Sequence, residues 1–109
     1  MDRFPPFVED LPEIDFPFEG VSGHLLQGEQ QQVAFVHFAA RTDVPPHRHR
    51  AQWEIVVAGE LHLTVDGETR THRPGETFYI PAWVEHGAVV EAGYQAIIIF
   101  DQPDRYATK

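Results

Sequence analysis

Three histidines are the residues best placed to carry chemistry in this chain: His47 and His49, in Pro45-Pro46-His47-Arg48-His49, and His86, six residues after Ile80. On an extended segment, side chains two apart point to the same face, so His47 and His49 would present two imidazoles to one centre. That is a common way for a strand to offer nitrogen ligands to a divalent metal. The competing reading of His-Arg-His is a solvated basic loop, and the tripeptide alone does not decide between them. His37 shares a strand face with Phe35 and is read either as lining a site or as a hydrogen-bonded core residue. His62 alternates with Leu61, Leu63 and Val65, so it should face away from them. His24 and His72 read as surface or rim residues, and Trp53 and Trp83 as core or interface residues. There is no Cys, so thiolate nucleophiles, zinc ribbons and disulfide scaffolds are excluded.

The elements that must position these residues are short. Apolar runs at Val21–Gln27, Gln32–Ala40, Gln52–Ala58, Leu61–Val65, Thr69–His72, Thr77–Ile80, Gly87–Glu91 and Tyr94–Asp101 are separated by turn residues, among them Asp66-Gly67 and Pro74-Gly75. Strand formers dominate the runs, and Asp-Gly tolerates the positive φ of a tight hairpin. No window has the i, i+3, i+4, i+7 spacing of an amphipathic helix. About eight short strands at turn spacing predict an all-β sandwich or barrel. Residues 1–20 differ, with four Pro and four Phe. That density of Pro blocks helix interiors and central strands. The segment reads as an arm lying on the surface of the 21–109 domain or on a partner chain.

The chain has 109 residues, enough for a single domain, with 8 Lys+Arg against 17 Asp+Glu and a formal charge of −9. Nucleic-acid binding depends on Lys and Arg displacing counterions, so this balance argues against it. It argues equally against docking on anionic membranes. No apolar run approaches the ~20 residues of a spanning helix, and Met1–Pro6 has no apolar signal-peptide core. The expected compartment is the cytoplasm.

The two histidine segments and their spacing resemble the motifs of the cupin family over about residues 33–101. The first motif, Gly, five residues, His-x-His, three or four residues, Glu, six residues, Gly, corresponds to His47-Arg48-His49 through Gly59. The second, Gly, five residues, Pro-x-Gly, two residues, His, three residues, Asn, corresponds to Gly75, Pro81-Ala82-Trp83, His86 and Val90. The resemblance implies a jelly-roll β-barrel holding one divalent metal at His47, His49, a Glu position and His86. Four positions depart from the pattern. Arg41 replaces the upstream Gly, Trp83 a turn Gly, and Val90 the Asn. The metal Glu falls on Gln52 counting back from Gly59, and on Glu54 counting forward from His49. Gln52, Glu54 and Val56 share a strand face. Pointing that face inward together with His49 requires a bulge near Arg50-Ala51. On this reading Gln52 is the fourth ligand and Glu54 a candidate general base.

Three imidazoles and a carboxamide are neutral, so a dication among them keeps its full charge, which favours polarising a bound oxygen. Such a set suits Fe, Mn, Ni, Co, Cu or Zn without choosing among them. The resemblance therefore implies a metal-dependent enzyme of oxygenase, isomerase or lyase type acting on a small organic molecule. Two other readings stay open. One is a non-catalytic small-molecule or metal-binding module, and the other a metal-free cupin using a His and Glu54 as an acid–base pair. A homodimer is expected, because small β domains must protect strand edges. The arm or the sheet face bearing Trp53 or Ile55 would form the contact.

Overall fold

The computed structural model describes residues 4–109. Among the described residues, nine antiparallel strands form two sheets: β1 (Val21–Gln27), β2 (Gln32–Phe38), β3 (Thr42–His47), β4 (Gln52–Ala58), β5 (Leu61–Val65), β6 (Glu68–His72), β7 (Thr77–Ile80), β8 (His86–Val90) and β9 (Tyr94–Phe100). The order is β1-β2-β9-β4-β7 in one sheet and β3-β8-β5-β6 in the other. The short runs predicted an all-β sandwich or barrel, and the order is the jelly roll that the cupin resemblance implied. No helix among the described residues is long and apolar enough to cross a membrane.

Alternation places one face of each strand inside. Ala34 and Val36 of β2, Val56 of β4, Leu61 and Leu63 of β5, Val90 of β8 and Ala96, Ile98 and Phe100 of β9 meet in a single core. Gly59 ends β4 at a φ of 72°, where a Cβ would stand 2.8 Å from the Cα of Tyr94. Both facts require glycine at this corner.

β3 falls outside the runs read from the sequence, because Pro45-Pro46 and the polar Asp43 disguise it. It is an edge strand of the four-stranded sheet, where a residue without an N–H costs no ladder bond. Its pairing with β8 runs Val44 to Ala88 and then His47 to His86, so β3 carries one extra residue across the two prolines. The bulge thus lies at Pro45-Pro46 and not at Arg50-Ala51. At residues 48–51 the chain instead leaves the strand and crosses to β4 in the opposite sheet.

The amino-terminal arm packs on its own barrel. A single helical turn, α1 (Pro6–Glu9), has Pro at its start, the one helical position where the missing N–H is harmless. Val8 and Ile14 are buried. Ile14 belongs to the core and bridges to Thr108, while Glu13 bridges to His24 of β1. His24 secures the arm further, its Nδ1 2.8 Å from the Leu11 carbonyl and its Nε2 2.8 Å from Glu9. His24 is therefore a tether for the arm, beyond the surface role its sequence context suggested.

Candidate metal centre

The two sheets meet around a cavity of about 590 Å³. His47 is the last residue of β3, His86 the first of β8, and the two are register partners. Gly87 permits this approach: a Cβ there would lie 3.0 Å from the Val44 carbonyl oxygen and 3.1 Å from the Pro46 nitrogen. His49 arrives from the crossing segment, not from a strand, and is nonetheless buried. Its carbonyl accepts a 2.8 Å bond from the Trp83 N–H, which ties the crossing segment to the turn before β8. Trp83 adopts a φ of 67°, so the turn keeps the left-handed geometry glycine would favour, at a steric cost.

Ligand nitrogens of His47, His49 and His86 all lie within 4.8 Å of one another. The ring centroids of His47 and His86 are 4.4 Å apart and those of His49 and His86 4.7 Å. Each Nδ1 donates to a backbone carbonyl: His47 to Pro45 at 2.9 Å, His49 to Arg50 at 2.6 Å and His86 to Val84 at 3.0 Å. A carbonyl only accepts, so each Nδ1 carries the proton and, in the neutral ring, Nε2 presents its lone pair. Burial lowers the pKa of His49 from 6.5 to about 4 and that of His86 in the same direction, with the charge of Arg105 adding to both. Both rings are therefore neutral, and their Nε2 atoms face each other at 3.1 Å with no proton between them. Two converging lone pairs repel, and a cation between them would relieve the repulsion. The donor set fits a divalent transition metal.

Gln52 and Glu54 sit on the inner face of β4, both buried, turned inward by the crossing at residues 48–51 and not by a bulge there. Gln52 lies between Ile80 of β7 and Phe100 of β9 in register. Its Nε2 donates to Glu54 Oε1 at 3.0 Å. The Tyr94 hydroxyl donates to Glu54 Oε2 through a very short bond. Burial outweighs these two bonds and raises Glu54 from 4.5 to about 7. Burial, together with the adjacent Glu54, pushes the Tyr94 hydroxyl above its usual range.

Tyr94 and Arg105 are among the cavity residues that sequence reasoning did not single out. Tyr94 could have been found by parity, since it shares a strand face with Ala96, Ile98 and Phe100. Arg105, which follows β9 in an irregular stretch, gave no signal. The other histidines lie elsewhere. His37 faces outward, in a separate cavity of about 240 Å³ shared with His24 and Phe35, so it does not line the metal site. His62 points away from the core as expected and bonds Thr71 and Glu91. His72 is half-buried against the Phe78 ring. Trp53 and Trp83 are both exposed rather than core residues.

A jelly roll with inward imidazoles from β3, the crossing segment and β8 defines a class, and the comparisons agree. Residues 34–100 match the cupin domain family, and the chain belongs to that family. It is similar to an RmlC-like cupin from Shewanella frigidimarina, with 30% identity, a TM-score of 0.77 and 96% of each chain covered. It is also similar to KdgF from Halomonas sp., with 27% identity and a TM-score of 0.73, covering 84% of this chain and 88% of that one. Among curated proteins it resembles the H2HPP isomerase of Bacillus subtilis, with 34% identity over 100 residues. That match takes in 84% of this chain but only 42% of the relative's length.

Proposed function

We propose that this cupin is a metal-dependent enzyme acting on a small organic molecule, and that among oxygenase, isomerase and lyase chemistry it catalyses an isomerisation. One observation carries the reading: three imidazoles gather their ligand nitrogens within 4.8 Å of one another in a largely apolar cavity, beside a buried carboxyl poised to exchange a proton. His47, His49 and His86 would hold the metal, with the Gln52 carboxamide oxygen as fourth ligand. The bond from Gln52 Nε2 to Glu54 turns that oxygen away from Glu54. When bound, a divalent cation supplies a Lewis acid that stabilises negative charge developing on a substrate oxygen.

Glu54 is the candidate general base. A carboxyl held near pH 7 takes and returns a proton readily at neutral pH, as moving hydrogen between two carbons requires. Tyr94 holds the carboxylate in place and spreads its charge. The isomerase name of the Bacillus subtilis relative supports the same choice. Glu54 bonds Gln52 and Tyr94 and no imidazole among the described residues, which disfavours a metal-free His–Glu pair. The cysteine-free composition suits the cytoplasm.

Metal analysis of protein purified without a histidine tag should give one divalent transition metal per chain; none would defeat the reading. Gln52→Ala should weaken metal binding, while Glu54→Gln should retain metal and lose turnover on a panel of catechols, diketones and keto acids. Metal lost in Glu54→Ala but not in Gln52→Ala would exchange the two roles. Full occupancy without turnover on any of the panel would favour a binding module.

We also propose a homodimer formed through the outer face of the five-stranded sheet. With the arm folded onto its own barrel, that face keeps a cross-strand row of Leu26, Val33, Ile99, Trp53 and Tyr79. Three of the five are exposed. A second copy would cover the row and the edge strand β7. Light scattering should give twice the monomer mass, and Trp53→Glu should return it to the monomer; a wild-type monomer at micromolar concentration would refute the pairing.

A further inference from the structure

Arg105 stands out among the basic residues. Arg41, Arg48, Arg70 and Arg73 each reach a carboxylate at the surface. Arg105 instead lines the histidine cavity, and among the described residues its buried Nε–H has no hydrogen-bond acceptor. This occurs in a chain with 17 Asp and Glu residues. The guanidinium lies 4.4 Å from the centre of the Tyr106 ring and 5.6 Å from that of Phe100, contacts that hold its plane in place. A buried donor without an acceptor is costly and uncommon. That nitrogen is sealed from the cavity, and no carboxylate among the described residues pairs with the guanidinium, so its two Nη groups are the donors left for a ligand.

Shape narrows the ligand. The two Nη groups form a fork that matches the two oxygens of a carboxylate. Much of the remaining wall is apolar, with Phe16, Phe38, Phe78 and Phe100 among its residues. We propose that the cavity takes a small organic carboxylate with an apolar body, anchored by Arg105, with its reacting end turned toward His47, His49 and His86. This deepens the enzyme reading by naming the substrate class. Arg105 is a ligand-anchoring residue here, and the anchor does not require the metal.

Calorimetric titration of the full-length protein with 3-phenylpropanoate and its neutral isostere 3-phenylpropanamide tests it, before and after chelator treatment. Chelator-treated wild type should bind the acid at least about 10-fold more tightly than the amide, the margin expected of a charge-assisted fork. Arg105→Gln should lose about that factor for the acid and stay within about twofold for the amide. Arg105→Lys, which keeps the charge but not the fork, should fall between them. Equal binding of acid and amide by wild type, or no binding of either, overturns the proposal. So does an Arg105→Gln protein that keeps the acid, or one that loses both ligands equally, which would make Arg105 part of the wall. If Arg105→Gln fails to fold, the acid–amide difference in wild type and its partial loss in Arg105→Lys decide alone. Metal titration of the same proteins separates this proposal from the metal reading. Acid selectivity without metal binding would sink only the latter, and metal binding without selectivity only the former.

Discussion

His86 and His62 lie on paired strands of one sheet and share a pattern: Nδ1 of each is fastened to an oxygen, 3.0 Å from Val84 and 2.8 Å from Thr71 respectively. They differ in what Nε2 meets. In His62 it faces the Glu91 carboxylate at 2.8 Å, and in His24 it faces Glu9 at the same distance. In His86 it faces another Nε2 lone pair inside the cavity. Ring orientation by a backbone or hydroxyl oxygen is therefore common to the tethering histidines and to those of the candidate metal centre. The partner of the second nitrogen sets the role. A carboxylate there makes a tether, and a second imidazole leaves an electron-rich gap for a cation.

Removing His86 breaks this contrast most severely. His86→Ala should lower divalent-metal affinity by more than about 100-fold, whereas His62→Ala should change it by less than about twofold, in competition titrations against a chromophoric chelator. Comparable losses in both would show that the outer histidines also bind metal.

Acid sharpens the contrast next. In chelator-treated protein, unfolded imidazoles take up protons near pH 6.5, while folded His49 stays neutral down to about 4. The unfolded state then binds more protons, and stability falls as pH drops through that window. Glu54 acts oppositely. Its pKa is raised from 4.5 to about 7, so its contribution is complete below 4.5 and is lost as pH rises through 7. The two partly cancel in wild type between pH 4.5 and 6.5. In Glu54→Gln, acidification from pH 7 to 4.5 should therefore lower the melting temperature further than in wild type, by on the order of 5 °C. At pH 8 the variant should melt above wild type. Parallel melting curves would contradict these assignments. Metal affinity in wild type should also fall on acidification, because protons compete for the same nitrogens.

The smallest effect concerns the turn that holds His49. Trp83→Gly keeps the N–H that bonds the His49 carbonyl and removes the left-handed strain of a bulky residue. Because Trp83 is 61% exposed, little packing is lost. Urea unfolding should show a gain of about 1 kcal/mol, with metal affinity unchanged. A loss of stability would mean that the indole packs more than its exposure suggests.

Much of this was legible in the chain itself. All eight apolar runs, from Val21–Gln27 to Tyr94–Asp101, coincide with strands to within two residues at either end, because turn residues bound them. That Gln52 and Glu54 share a strand face followed from parity; that this face points inward did not, because the chain changes sheets between His49 and β4. β3 was hidden because its prolines are tolerated only at a sheet edge, and position within a sheet is a tertiary fact. For the same reason His49 was read as a strand neighbour of His47, when the chain changes sheets between them. Arg105 was invisible because irregular backbone carries no periodicity to project from. The arm's place on its own barrel depends on contacts with His24 and Thr108, far away in sequence.

The change of sheet at residues 48–51 has a consequence for the order of events in folding. His47 and His86 belong to one sheet and Gln52 to the other, while His49 sits at the seam, 37 residues from His86. No growing or collapsing chain holds the full ligand set until β8 has docked on β3 and the sheets have closed. An ion that binds only once the sheets have closed contributes energy that is missing from any earlier transition state. Such contacts leave the folding rate nearly unchanged and slow unfolding instead. The bound cation would thus act as a clasp fitted last, prolonging the lifetime of a barrel that must assemble without it.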